Sequence, residues 1–425
     1  MQPAEQIKPD LEYGQNGFAA FPPLPGQSRP YPGACHALEN GGIVVALLDL
    51  AADRRGVFIR LDEQGHLDET FGENGFKRVA HGGSSLFGYL EFRDLLHIPA
   101  EHGGGYVAIS HPELPVHKDD VSNRQAIHIA FTRFTDSLDI QSAFGDAGVS
   151  MPTYNADDYG GWEETGAAER QLHQSVNEEQ SSRSTNRGFS VKERKLRVIH
   201  SAHVRNSGFN FFRLLLLEVD LDTGHVSSVA LQETDLGNPS GEYQSCVFLN
   251  DGRVVVAGRH GLRGDGAPLV AAYMPNGELD LGFGPTPDQK AGYVAYVSGL
   301  GNVWYEPNKR LLVKADRLRG MLFNGEHDNT FNGDGFASAG FFVQGLLDSG
   351  NGFINGEYDS GLLLQRWTES GLDMAFGSQG FYLNSEFNAS GWGAFVEGFG
   401  LLYSTQYMAV PSLPVGILKL LWQPV

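Results

Sequence analysis

The chain is poor in cysteine, in positive charge and in long apolar runs. Its 425 residues include two cysteines, too few for a disulfide framework. Lys and Arg number 31 against 51 Asp and Glu, a formal net charge of -20. Phosphate recognition needs concentrated Lys and Arg, so this balance argues against a nucleic-acid partner. It also disfavours docking on anionic membrane surfaces. The longest apolar stretches, such as "FRLLLLEV", fall well short of the roughly 18 residues of a membrane helix, so no membrane insertion is expected. The opening "MQPAEQIKPD" has neither a basic n-region nor an apolar h-region, so no signal peptide is visible. The compartment stays unassigned, with the cytoplasm as default and export by a signal-less route as the alternative. No GxSxG elbow, CxxC pair or kinase signature occurs.

What is present is glycine (55) and aromatic residues (27 Phe, 15 Tyr). That composition suits many short strands joined by tight turns rather than helices, which tolerate glycine poorly. Cys35 and Cys246, at similar places in two non-adjacent repeats, read as small buried apolar side chains.

One pattern recurs. "LDETFGENGF" at 67 returns as "LDIQSAFGDAG" at 138, "LDLGFGPTPDQKAG" at 279, "HDNTFNGDGF" at 327 and "LDMAFGSQGF" at 372, with "LEYGQNGF" at 11. With Leu11, Leu67, Leu138, Leu221, Leu279, His327 and Leu372 as markers, the steps are 56, 71, 83, 58, 48 and 45 residues. Such steps exclude a thin solenoid of rigid rungs and fit units with a fixed core and variable loops. In the turn, Asp or Asn bonds its own backbone, Gly supplies positive φ and Phe pins the corner. The repeat at 221 has lost that Phe.

Two strand-like stretches accompany the markers. The first set is 40–48, 103–110, 194–202, 251–259, 308–316, 350–358 and 398–405. The second is "GVFIRLD", "AIHIAFTRF", "NFFRLLLLEV", "APLVAAYM", "RLRGMLF", "GLLLQRW" and "VGILKLLW". Both sets count to seven, and Gly, Asn and Asp bound them as they bound strands.

"DGRVVVAGR…PLVAAYMPNGELDLGFG" resembles the delta-60 repeat, whose units read approximately DGK-strand-AG, strand, NADGSLDxxFGxxG. The match is fullest at 251–284 and 362–381 and weakest at 194–235. The resemblance implies a β-propeller and no common chemistry. The N-terminus holds a turn and a strand without a preceding pair, and the C-terminus ends in a pair without a turn. The expectation is therefore an all-β, single-domain chain (1–425). It forms a seven-bladed β-propeller closed by the N-terminal strand completing the C-terminal blade. The segment 154–192 reads as an irregular inserted loop, with a short helix over 164–176.

With strands a to d running outward, the b–c loops share one face and the "LDxxFGxxG" turns lie opposite. His111, His203, Arg205, Arg259, His260, Asp316, Arg317 and Glu357 then ring one mouth of the channel, the default ligand site. The opposing reading is that loops are simply hydrophilic. "HSAH" puts His200 and His203 on opposite faces of a strand, so no shared metal is expected there. Trp367 and Trp422 align with Phe134, Tyr273 and Phe323 as core. Trp162, Trp304 and Trp392 fall outside that register as candidate stacking platforms for a sugar.

The function expected is non-enzymatic recognition of a ligand or protein partner on the polar b–c face, with no cofactor. The alternatives are a carbohydrate-binding or glycan-acting propeller, and a metal-assisted hydrolase using His111, His203 and His260. Neither the ligand nor the partner is named by the sequence.

Overall fold

The computed structural model describes residues 6–24, 32–48, 56–79, 90–112, 129–152, 188–206, 209–234, 242–259, 268–286, 291–296, 302–306, 308–314, 317–337, 346–348, 353–357, 362–368, 371–374, 376, 381–384, 387–396, 400–407 and 415–423. They are all-β apart from short 3₁₀ turns.

Two short strands come first, β1 (Gln6–Pro9) and β2 (Phe18–Ala20). Sheet one is β3 (Pro32–Ala37), β4 (Ile43–Leu48), β5 (Gly56–Leu61) and β6 (Phe76–Arg78). Sheet two is β7 (Leu90–His97), β8 (Tyr106–Pro112), β9 (Ala130–Phe134) and β10 (Val149–Ser150). Sheet three is β11 (Phe189–Lys192), β12 (Lys195–Asn206), β13 (Phe209–Asp220) and β14 (Val226–Ala230). Sheet four is β15 (Glu242–Phe248), β16 (Val254–Arg259), β17 (Pro268–Tyr273) and β18 (Tyr293–Ala295). Sheet five is β19 (Asn302–Glu306), β20 (Arg310–Lys314), β21 (Leu318–Met321) and β22 (Phe336–Ala337). Sheet six is β23 (Leu346–Asp348), β24 (Phe353–Glu357), β25 (Leu362–Thr368), β26 (Gly371–Leu372) and β27 (Phe381–Asn384). The last is β28 (Phe387–Val396), β29 (Gly400–Tyr407) and β30 (Val415–Gln423), with β1 and β2 both paired to β30. Every pairing is antiparallel, and each sheet is a meander in chain order apart from those two N-terminal strands and from sheet six, where β26 and β27 both pair with β25. All fourteen expected b and c stretches contain strands, the middle pairs β4/β5 to β29/β30.

Runs such as "IVVALL" carry no apolar–polar alternation because both faces are covered. From β4, Val44 and Ala46 pack with Phe58 against Phe92, Tyr106 and Ala108 of sheet two. Ile43, Val45 and Leu47 pack with Tyr13, Phe21 and Ile417 on the other side. Equivalent clusters join sheet two to three through Phe131 and Leu217, three to four through Leu216 and Val256, and four to five through Val255 and Leu311. β23 touches β28, and β28 touches β3, so the last sheet lies against the first. Burying a Leu, Val or Phe side chain contributes about 1.5–3 kcal/mol, so these double-sided sheets hold most of the apolar driving force.

The recurring motif is a corner between c and d strands. The Asp68 N–H donates to the Arg60 carbonyl at 2.9 Å and the Phe71 N–H to the Asp68 carbonyl at 3.0 Å. Asp68 Oδ1 accepts the Thr70 N–H at 3.0 Å, and Phe71 is buried. Gly72 has φ +60°, and a Cβ there would meet the Phe76 carbonyl oxygen at 2.3 Å; Gly14 and Gly145 stand in the same place with the same clash. These glycines also stitch sheets together. Gly14 donates to Gln64 O, Gly145 to Thr223 O and Gly284 to Asn324 O.

Four expectations need correcting. The corner register places Ile140, not Leu138, opposite Phe134 as Leu67 stands opposite Leu61. It places Asp10 and Tyr13 where Asp68 and Phe71 stand, two residues away from the reading that began at Leu11. The b-strand partners put Met321 and Leu420, opposite Leu311 and Leu401, at the c-strand position of Phe134 and Tyr273, in place of Phe323 and Trp422. The fourth concerns 154–192. Residues 153–187, with Trp162 and the helix expected at 164–176, lie outside the described residues. Phe189–Lys192 is strand β11, joined to β12 by a two-residue turn at Glu193 and Arg194 with φ of 53° and 60°. That conformation matches strand twist but is normally signalled by Asn or Gly, so the hairpin has no sequence mark.

Candidate functional site

The b–c connections run 7, 17, 2, 8, 3, 4 and 7 residues from first sheet to last. The corners opposite them repeat one backbone pattern, and backbone bonds link several of them to the next sheet. His260 and Asp316 fall within those connections, outside the described residues. His111 lies in β8 opposite Glu91, and Arg259 and Glu357 end β16 and β24. Arg317 immediately precedes β21 and is exposed, its guanidinium carbon 5.7 Å from the Phe336 ring centroid. His203 and Arg205 do not occupy a loop as expected. They sit inside the long β12, opposite Phe212 and Asn210, because the β12–β13 ladder runs as far as the Asn206–Phe209 pair. His200 is buried in the same strand.

Trp392 lies in β28. Trp304, in β19 opposite Leu312, is 6% exposed. That burial removes it as a platform on which a sugar could stack. The half-exposed aromatic is instead Phe189, at 42%. It borders a cavity of about 310 Å³ between sheets three and four, lined by β11, Arg197 and the 248–252 turn. Arg197 Nε donates to Glu218 at 2.9 Å, and Lys195 Nζ reaches the same carboxylate at 2.6 Å. Burial raises the Glu218 pKa, but the bonds from Lys195 and Arg197 outweigh it and leave the carboxyl below its usual value. No sequence pattern marks Phe189, since its strand is short and the turn that follows, Glu193–Arg194, lacks Asn and Gly.

Charges on the corner face are mostly structural. Arg60 Nε donates to Asp68 at 2.6 Å, Arg253 Nη1 to Asp280 at 2.6 Å, and Arg310 pairs with Asp328 at 2.7 Å. The Thr70 hydroxyl first, and then Arg60, hold the Asp68 carboxyl below its ordinary pKa. Arg133 occupies the place of Arg60, but Gln141 replaces the aspartate. Arg133 is 1% exposed and bonds the Gly104 carbonyl through Nη2, while Nε and Nη1 have no partner among the described residues. Burial and the nearby Arg194 lower the Arg133 pKa.

At the seam between sheets one and two, His36, His97 and Tyr106 form a triangle. Ring centroids are 5.4 Å apart for His36–His97, 5.6 Å for His36–Tyr106 and 5.2 Å for His97–Tyr106. Burial, and then His97, push the His36 imidazole down to about 4. Burial raises the Tyr106 phenol. The sequence placed a histidine just before the a–b turn in two successive repeats, a signal the b–c reading passed over. Cys35 and Cys246 are buried, as expected, and form no disulfide, and burial pushes the Cys35 thiol to about 12. Among the described residues no three His, Cys, Asp or Glu side chains converge as a metal site, and no helix is long and apolar enough to cross a membrane.

No family model and no curated protein matches the chain. Solved structures similar to it include a protein of unknown function from Dyadobacter fermentans DSM 18053, 12% identical at a TM-score of 0.43, covering 100% of this chain and 99% of that one. The β-propeller domain of the Trilobed protease from Pyrococcus furiosus is 8% identical at 0.45, covering 92% and 94%. An α-L-arabinofuranosidase from Fusarium graminearum is 8% identical at 0.38, covering 99% and 98%. At these identities no activity carries over to this chain.

Proposed function

We propose that the chain is a seven-bladed β-propeller of the delta-60 repeat type, closed by its N-terminal strands, and that its role is to bind a ligand or protein partner on the b–c face. Seven successive sheets, contact between the last and the first, and the pairing of β2 with β30 support the closed ring. The observation that carries the binding face is the contrast between the two ends of the sheets. The corners spend their polar groups on one another, in the same pattern from sheet to sheet. The b–c connections vary from 2 to 17 residues and carry Arg259, His260, Asp316, Arg317 and Glu357 at or beside their ends. Repeats diverge where function is carried and stay alike where packing is.

A thermal-shift screen of mono- and oligosaccharides, followed by chemical cross-linking to candidate protein partners, tests this reading. A ligand at about 100 times its Kd stabilises by roughly 2.7 kcal/mol. Binding lost in an Arg259→Glu/Arg317→Glu variant and kept in a Glu69→Lys corner variant supports the b–c face. The reverse pattern overturns it.

The carbohydrate reading keeps one specific support, the half-exposed Phe189 beside the cavity of about 310 Å³. A Phe189→Ser variant that loses an oligosaccharide shift kept by Arg259→Glu would select it.

A further inference from the structure

We propose that His36 and His97 form a two-imidazole site for a divalent transition-metal ion, copper(II) above all, across the seam between the first and second sheets. Their placement follows from strand register. His36 pairs with Val44 and His97 with Tyr106. Tyr106 stands where Ile43, one residue before Val44, stands in sheet one, since each opens its b strand after glycine. The two histidines are therefore offset by one position, and a one-residue offset sends side chains to opposite faces. His36 projects from sheet one towards sheet two, and His97 projects back, which brings the rings together.

The spacing fits one shared ion. Two imidazoles bound about 2 Å from one ion put their ring centroids roughly 4.5 Å apart at the right angle of a tetragonal copper(II) site and roughly 5 Å apart at the tetrahedral angle, so the 5.4 Å found here closes with a small turn of the rings. Among the described residues neither ring has a hydrogen-bond partner, so no bond to a described residue must break for a ring nitrogen to turn to a metal. His97 is exposed, which gives an entry path, while His36 is half-buried and held by the edge of Tyr106. Tyr106 is a positioning wall, and solvent completes the coordination. Among dications a nitrogen site of this kind holds copper(II) most tightly.

The test is titration of the full, metal-free chain with copper(II), read by calorimetry and by electron paramagnetic resonance. The expected result is one equivalent with hyperfine splitting from two nitrogens. His36→Gln and His97→Gln should each weaken binding at least the roughly tenfold that loss of even an outer-shell partner costs. Tyr106→Phe and His66→Gln should bind as the parent chain does. His97 is exposed, so its variant folds even where His36→Gln does not. The proposal is overturned by the absence of a stoichiometric site, by splitting from a single nitrogen, or by a His97→Gln variant that binds like the parent.

Discussion

The Asp10 carboxylate lies 3.0 Å from Lys419 Nζ, with the two side chains 14% and 8% exposed. This pair ties the beginning of the chain to its end. The Asp10 N–H donates to the Lys419 carbonyl and the Lys419 N–H to the Gly17 carbonyl, both at 2.9 Å. The ammonium also lies 5.4 Å from the Tyr13 ring centroid. Removing one partner leaves a buried charge, so Lys419→Met should cost about 3–5 kcal/mol in chemical denaturation. The double variant with Asp10→Asn should recover most of that loss. An additive double variant would dissolve the pairing.

The corner motif has two apolar positions with opposite energetics. Tyr13, Phe283, Phe331 and Phe376 are buried, whereas Leu11, Leu281 and Met374, two positions before Tyr13, Phe283 and Phe376, are 62–68% exposed. Phe283→Ala or Phe331→Ala should cost about 3–5 kcal/mol. Leu281→Ser and Met374→Ser should stay within about 0.5 kcal/mol of the parent. Equal losses would mean that the corners are packed differently.

Arg133 should respond to the aspartate that its corner lacks. Gln141→Asp places a carboxylate where Asp68 meets Arg60, at the expense of the 3.3 Å bond from Gln141 Nε2 to Phe134 O. Charge-assisted bonds contribute about 1.5–3 kcal/mol, so a net gain of roughly 1 kcal/mol, seen as a higher Tm, is expected. A fall in Tm would show that Arg133 is already satisfied.

His36 should make the metal-free protein acid-sensitive. Its folded pKa is lowered to about 4 from 6.5, so below 6.5 the unfolded chain takes up a proton that the folded chain refuses. Stability is then full above about pH 6.5 and falls as the pH drops towards 4. The loss should be roughly 1–3 kcal/mol, allowing for solvent at a partly exposed ring. Urea midpoints measured with a chelator at pH 7, 5.5 and 4.5 check this, and His36→Gln should flatten the slope across that window.

How much of this was legible in the sequence depends on whether a feature is written locally. The b and c strands were, because runs such as "RVVVAG" bounded by Asp and Gly have few other uses. The corner was legible through its Phe–Gly pair. Its register was not, because "LD" at 138 mimics a marker two residues early. Distance from the Phe sets the position, and Ile140, four residues before Phe144, fits where Leu138 does not. The β11–β12 hairpin turns on Glu193 and Arg194 at positive φ, a conformation imposed by the flanking ladders rather than by those residues. Trp304 is of a type that favours ligand stacking, and its burial is set by tertiary packing that leaves no local mark. His36 and His97 meet across two repeats, and a contact of that kind has no local signature.

The proposed closure of a ring by the N-terminal strands is most directly tested by residue-resolved amide exchange in β30. Alternate amides of an edge strand face solvent, whereas in a strand paired on both sides every amide is held. The Lys419 amide, bonded to Gly17 O rather than to β29, should exchange as slowly as its neighbours that face β29. A Lys419 amide exchanging at the rate of a free edge, beside protected neighbours, would contradict the closure.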